Sequence, residues 1–222
     1  MRVVGVLPAA GRAARLQPLV GSKELLELAA RPVLDFAVER MRAGGAAEIR
    51  VVTRPDKGDV RTHAHELGLT VVEAEPQTLA ESIAIGAEGL APDDVVLIDL
   101  PDSVWEPVHG LAALVEALEP GTDAVLAVFR STEPERGDVV EIDRDGEVHG
   151  VSVKPPRPAG DLVWGAVAAR ASALSSLRRH RDPGQLFDEL ARGGRVRAVR
   201  FPGEFIDIGT NEALARARKE LP

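Results

Sequence analysis

Short runs of β-branched residues alternate along the chain with stretches whose apolar positions recur at helical spacing. Residues 2–7 read as a strand, 32–45 as a helix, 48–53 as a strand, 59–68 as a helix and 70–74 as a strand, with glycines marking several of the stops. The alternation continues with a helix over 81–90, a buried strand over 93–100, a helix over 109–119 and a strand over 123–129. Strands separated by helices in this way predict a parallel sheet with helices on both faces. After Phe129 the texture changes. Residues 138–143 and 148–153 flank the turn residues 144–147 and read as a hairpin around Asp145 and Gly146. A strand over 161–170, helices over 172–180 and 184–192, a strand over 195–201 and a last helix over 211–219 complete the reading. The fold class expected is α/β: a doubly wound, mostly parallel Rossmann-like sheet with an antiparallel hairpin section in the second half. With no internal repeat and no low-complexity linker, residues 1–222 are expected to form one domain.

Composition narrows the chemistry. No apolar run approaches the ~18 residues of a membrane span, so a membrane protein is not expected. The start, residues 1–12, carries one interior Arg before its last position and is broken by Pro8 and Gly11, unlike a secretory leader, so a cytoplasmic protein is expected. The chain has no Cys, which excludes disulfides, thiolate metal sites and a cysteine nucleophile. His63 and His65 stand two apart on a helix and point to different faces, which disfavours a histidine metal site. The formal charge of −8 and an aromatic content of 3% argue against a nucleic-acid partner. A small polyanion held by a few placed Lys and Arg remains open.

The loop that follows the first strand, from Leu7 through Ala9, Ala10, Gly11, Arg12 and Ala13, is built of small residues. Small side chains let backbone N–H groups approach phosphate oxygens, and Arg12, Arg15 and Lys23 can add countercharge. The loop has neither the G-x-G-x-x-G spacing nor a P-loop pattern, since Gly11 and Gly21 are ten apart. In isolation, Arg15 and Lys23 read equally well as solvated surface charges.

The run from Ala9 to Leu28 resembles the signature of the sugar-1-phosphate nucleotidylyltransferases, AAG-x-G-T-R-L-x-P followed by [PS]-K-x-L-L-P. Gly11, Arg15, Leu16, Pro18, Ser22 and Lys23 match it in order, and Ala13 and Ala14 stand where the pattern has Gly and Thr. Further segments agree in the same order: EPQTLAES, VLIDLPDS, VKPPRP and FIDIGTNEAL. The resemblance therefore spans nearly the whole chain. It implies a GT-A-like nucleotidyltransferase fold with a nucleotide-binding half over about 1–130 and an acceptor-binding half over about 131–222. It implies joining a nucleoside triphosphate to a sugar-1-phosphate or similar phosphate, with release of pyrophosphate and with magnesium as cofactor. Its metal ligands would be Asp102 and Asp207. Arg15 would hold the leaving pyrophosphate, Lys23 the α-phosphate region and Lys154 the phosphate of the acceptor, with Gly165 beside it. Leu7, Ala9, Ala10, Gly11, Arg12, Ala13, Glu73 and Thr78 would line the nucleotide. Without the resemblance, Asp102 after Pro101 and Asp207 before Gly209 read as turn residues. Asp99 is a rival to Asp102, but it lies inside the apolar run.

Two departures bear on specificity. Glu73 stands where many uridylyl- and thymidylyl-transferring members have Gln. An acceptor-only carboxylate suits the donors of guanine or cytosine; equally, Glu73 can simply end a strand and face solvent. Val153 replaces the Glu of the family's E-K-P box, which opens the acceptor to a modified sugar, a cyclitol phosphate or another alcohol phosphate. A cytidylyl- or guanylyltransferase acting on a non-sugar phosphate, a non-catalytic nucleotide-sugar sensor and a glycosyltransferase are the alternatives. The last would want D-x-D, whereas Asp99 and Asp102 are spaced D-x-x-D. Trp105 and Trp164 could wall a substrate or pack a core. The chain ends soon after its last helix, so no further module is expected, and monomer or homo-oligomer stays open.

Overall fold

The structure is a computed structural model that describes residues 1–16 and 18–220, without the Glu220 side chain. The chain opens with β1 (Val3–Pro8), passes the signature loop and two short strands, β2 (Glu27–Leu28) and β3 (Arg31–Pro32), and enters α1 (Val33–Ala43). There follow β4 (Glu48–Thr53), α2 (Gly58–Glu66), β5 (Thr70–Glu73), α3 (Leu79–Gly86), β6 (Val95–Asp99), β7 (Ser103–Val104) and α4 (Gly110–Glu116). The second half comprises β8 (Ala124–Arg130), β9 (Val139–Ile142), β10 (Val148–Ser152), β11 (Leu162–Arg170), α5 (Pro183–Ala191), β12 (Val196–Glu204), β13 (Ile206–Asp207) and α6 (Asn211–Glu220).

Nine strands form one sheet, ordered β10-β9-β11-β6-β1-β4-β5, with β8 against β11 and β12 outside it. The strands β6, β1, β4 and β5 pair in parallel. Alternation along each strand divides the core into two layers. Val6, Val96, Ile98 and Leu126 face one layer with Ile83 of α3 and Phe187 of α5. Leu7, Leu97, Val125 and Phe129 face the other with Leu34 and Met41 of α1 and Leu111 of α4. Each fully buried Leu, Val or Phe contributes roughly 1.5–3 kcal/mol.

The expected α/β class and the Asp145-Gly146 hairpin are present: β9 and β10 pair antiparallel, and Gly146 takes φ +80°, which the tight turn requires. Two features differ from the sequence reading. β8 does not extend the parallel run beside β6, because β11 lies between them, antiparallel to both. The reason is burial: β11 is apolar on both faces through its middle, so it belongs in the interior of the sheet. The segment read as a helix over 172–180 is a 3₁₀ helix, Ala173–Arg179, whose buried residues Leu174 and Leu177 stand three apart, as a three-residue turn demands.

Candidate active site

Asp102 sits in the turn that leaves the carboxyl end of β6. The turn is tied by Ser103, whose N–H and hydroxyl both donate to the Leu100 carbonyl at 3.1 and 2.7 Å. Chain that is distant in sequence then closes on it. β13 pairs antiparallel with β7, matching Asp207 to Ser103 and Ile206 to Val104, and the Ile208 N–H donates to the Asp102 carbonyl at 2.8 Å. Under this ladder lies a small apolar cluster of Leu28, Val33, Val104, Ile206, Ile208 and Ala217. The two carboxylates that lie 105 positions apart in the sequence are thereby placed side by side.

From below, the same turn is held by a buried network. Arg40 of α1 donates to Asp99 at 2.7 Å, to the Ser103 carbonyl at 3.1 Å and to the Trp105 carbonyl at 3.5 Å. Asp99 also accepts from the Trp105 indole at 3.1 Å and from the Leu100 N–H at 2.9 Å. Asp99 is thus the floor of the turn, and Asp102, itself buried, its lip toward Lys23 and Asp207.

Lys23 reaches across from the signature loop and pairs with Asp102; the two side chains are 18% and 9% exposed. Burial alone would lower the Lys23 pKa, but Asp102, Glu24 and Asp207 around it raise it, so its ammonium stays charged. Arg15 lies 4.0 Å from Asp207. Desolvation on the protein side and the charge of Asp102 push the Asp207 carboxyl up to about 6, while 47% of its side chain stays open on the cavity side. Two crowded carboxylates of this kind suit a hard divalent cation, which would relieve their mutual repulsion and take its other oxygens from a phosphate. Among the described residues no group of three or more His, Cys, Asp or Glu is gathered that could hold a metal, so substrate oxygens would have to complete the shell.

This cluster stands between two cavities. The smaller, about 510 Å³, is lined by Gly11, Arg12, Ala13, Lys23, Arg54 and Lys57 among others. Lys57 organises the loop by donating to the carbonyls of Ala9 at 2.8 Å and Gly11 at 3.2 Å and to the buried Glu24 at 2.7 Å. Ser22 is fixed by Asp59, which accepts from its N–H and its hydroxyl, each at 2.8 Å. Of the expected loop contacts, Gly11, Arg12 and Ala13 face the cavity, and Ala10 is buried. Leu7 lies in the core, and the Ala9 N–H is spent on the Val52 carbonyl at 2.8 Å, so these two shape the loop without offering it a free donor.

Ala13 adopts φ +50°, a left-handed conformation that glycine takes without strain. Ala13→Gly is therefore expected to stabilise the protein by about 0.5–1 kcal/mol, read as a higher urea midpoint at unchanged slope. A lower midpoint would mean that the loop does not hold this conformation in solution.

The larger cavity, about 690 Å³, is lined by Arg15, Asp207, Lys154, Asp138, Trp164 and Asp182 among others. Lys154 reaches it with φ +40° and pairs with Asp182 at 3.0 Å. Gly165 acts from behind: a Cβ there would collide with the ring of Phe205, which lines the cavity. Thr78 caps α3 by accepting from the Glu81 N–H at 3.1 Å, next to Leu79 on the cavity wall. Glu73 is not gathered with the others. It ends the edge strand β5, half-exposed, and takes a salt bridge from Arg61 at 2.6 Å, so the solvent-facing alternative describes its surroundings.

Sequence reasoning missed Arg40, Lys57, Arg54 and Asp138. Arg40 alone had a local signal, a charge set into the buried stripe of α1 beside Ala37 and Met41. The others become visible only through contacts between distant segments.

Comparison with known proteins bears on the fold and the family. A solved structure from Bacillus anthracis, provisionally assigned as a glucose-1-phosphate thymidylyltransferase and bound to a sucrose, superposes with a TM-score of 0.87 at 18% identity, covering 99% of this chain and 95% of that one. The Rossmann-like nucleotidyltransferase fold is therefore shared. Over 169 residues the chain is 29% identical to the low-salt glycan biosynthesis nucleotidyltransferase Agl11 of Haloferax volcanii, covering 72% of this chain and 46% of that protein. It is 26% identical to a glucose-1-phosphate thymidylyltransferase of Neisseria meningitidis, covering 71% and 57%. It is 34% identical to a 2-C-methyl-D-erythritol 4-phosphate cytidylyltransferase of Streptomyces avermitilis, covering 56% and 53%. The chain thus spans about half the length of the curated relatives it matches. No described helix is long and apolar enough to cross a membrane. The model of the MobA-like NTP transferase domain matches residues 5–194, and the chain belongs to that family.

Proposed function

We propose that the protein is a cytoplasmic nucleotidyltransferase that joins a nucleoside triphosphate to a sugar-1-phosphate or a similar phosphorylated alcohol. A phosphate oxygen of the acceptor attacks the α-phosphorus, the bond from the α-phosphorus to the α,β-bridging oxygen breaks, and pyrophosphate leaves. The observation that carries this reading is the cluster of Lys23, Arg15, Asp102 and Asp207 at the junction of a cationic loop cavity and a larger cavity of mixed lining. The triphosphate lies along Gly11, Arg12 and Ala13, with Lys23 at the α-phosphate and Arg15 toward the departing pyrophosphate. The acceptor fills the larger cavity with its phosphate at Lys154. Residues up to about 130 thus mainly bind nucleotide and the remainder the acceptor. The attacking phosphate is already an anion, so no general base is needed; positioning and charge carry the rate. Asp102 and Asp207 would hold magnesium, which would supply charge neutralisation to the phosphate oxygens.

The test is pyrophosphate release with ATP, CTP, GTP, UTP and dTTP in turn, each with magnesium and a panel of sugar-1-phosphates and non-sugar alcohol phosphates. Release that depends on both substrates is expected; its absence across the whole panel would overturn the reading. The similarity to a cytidylyltransferase favours one second reading, an alcohol-phosphate acceptor with CTP, which the same panel separates. Base reading by Glu73 requires its carboxylate to leave Arg61, so a preference for UTP or dTTP would remove that role.

Lys154→Ala is expected to raise the acceptor KM by about 10–100-fold, the size of a lost charge-assisted hydrogen bond, with the nucleotide KM within about twofold. Equal shifts in both would remove Lys154 from the acceptor side.

A further inference from the structure

Asp138 is a carboxylate that no part of the proposed reaction uses. It lies at the start of β9, only 7% exposed, on the wall of the larger cavity. One oxygen, Oδ2, accepts from the Trp164 indole at 3.1 Å and packs against Gly184 at the start of α5, where a Cβ would collide with it. The other, Oδ1, is buried without a hydrogen-bond partner. The Lys154 N–H faces the carboxylate but falls outside hydrogen-bond geometry. Val153, its other near neighbour across Gly184, offers no polar atom.

Leaving a buried carboxylate oxygen unpartnered costs roughly 1–3 kcal/mol or more, and on a cavity wall a bound ligand can supply the missing donor. The titratable groups around it are Lys154, from the segment after β10, and Asp182, at the start of α5. Burial pushes the Asp138 carboxyl up, and Asp182 adds to the shift, while the Trp164 bond and the Lys154 charge oppose it. The Lys154 ammonium is turned to Asp182 and makes no hydrogen bond to Oδ1, and the Asp182 carboxylate is an acceptor with no proton to give. Trp164 lines the same cavity beside the carboxylate. An aromatic wall next to a lone acceptor matches a hydroxylated ring, whose C–H groups pack on the indole while one hydroxyl donates to the acid.

We infer that Asp138 is a specificity-determining residue that accepts a hydrogen bond from a ring hydroxyl of the acceptor, so that the acceptor is a sugar or cyclitol phosphate. The inference rests on the proposed nucleotidyl transfer, since it names the acceptor of that reaction. The acceptor used is the best sugar-1-phosphate or cyclitol phosphate of the panel, together with its monodeoxy series and an amino analogue. Asp138→Asn preserves volume and can still accept from Trp164. It is expected to raise the acceptor KM at least about tenfold with the nucleotide KM within about twofold, because a bond to a charged acceptor is lost. Wild type is expected to discriminate about 10–100-fold against one deoxy analogue, and the variant is expected to lose that discrimination. Trp164→Phe keeps the ring but removes the bond to Oδ2, and should shift the acceptor KM in the same direction by less.

An unchanged acceptor KM in Asp138→Asn, or a loss of thermal stability with all kinetic constants intact, would overturn the role and reduce Asp138 to a packing residue. A wild-type preference for the amino analogue would overturn the hydroxyl assignment. Turnover by wild type with an unaffected variant fails this inference alone, whereas no acceptor-dependent turnover by wild type fails the underlying function and the inference with it.

Discussion

Asp102→Asn is expected to lower the rate of pyrophosphate release by about 10²–10³-fold, or some 3–4 kcal/mol of transition-state stabilisation, while the protein still folds. The carboxylate is crowded against Asp207 and pairs with Lys23, and the proposed reaction has it face the reacting phosphate. Its carbonyl, not its side chain, holds the Ile208 N–H, so the ladder between β7 and β13 survives the substitution. Single-turnover rates at saturating substrates, with circular dichroism melts of both proteins, check this. A folded variant within about tenfold of wild type would place the chemistry elsewhere.

Arg40→Met carries the largest expected effect on stability, a loss of about 3–5 kcal/mol, because it leaves the Asp99 charge buried without its counter-ion. Both side chains are essentially inaccessible to water, and burial already pushes the Asp99 carboxyl up even with the guanidinium beside it. Urea unfolding measures the loss. The double variant Arg40→Met with Asp99→Leu removes both charges and is expected to recover much of the stability. Activity should not recover with it, since Arg40 also anchors the carbonyls of Ser103 and Trp105 and thereby the turn that presents Asp102. A double variant as active as wild type would show that the network stabilises the fold without positioning the site.

The two departures in fold and the missed site residues have one physical origin. Periodicity reports which face of an element is apolar, and it located the described α-helices and the nine strands of the main sheet, including the hairpin at Gly146, but not the two-residue strands β2, β3, β7 and β13, which are too short to show a period. It carries no information on which strand lies next to which, and so the place of β11 between β6 and β8 was not legible. The same holds for side chains. Asp102 and Asp207 were singled out by the family resemblance, since local sequence alone read each as a turn residue, and the fold brings the two together. Asp138 became a candidate only when the sheet brought β9 against Trp164 of β11 and α5 laid Gly184 over the carboxylate. Lys57 emerged in the same way, from a long reach between α2 and the signature loop. Asp99 shows the converse: its place in an apolar run was read correctly as burial, but burial there supports the turn that Asp102 uses.

The central claim is that nucleotidyl transfer takes place over the Asp102 and Asp207 carboxylates with a divalent cation between protein and phosphate. Its most direct test is the magnesium dependence of pyrophosphate release in wild type and in Asp207→Asn. Release is expected to stop on chelation with EDTA, to return on adding magnesium, and to need at least about tenfold more magnesium in the variant, the loss expected when one of two carboxylates is removed. Release that persists in EDTA, or a variant with the wild-type magnesium dependence, would contradict the account.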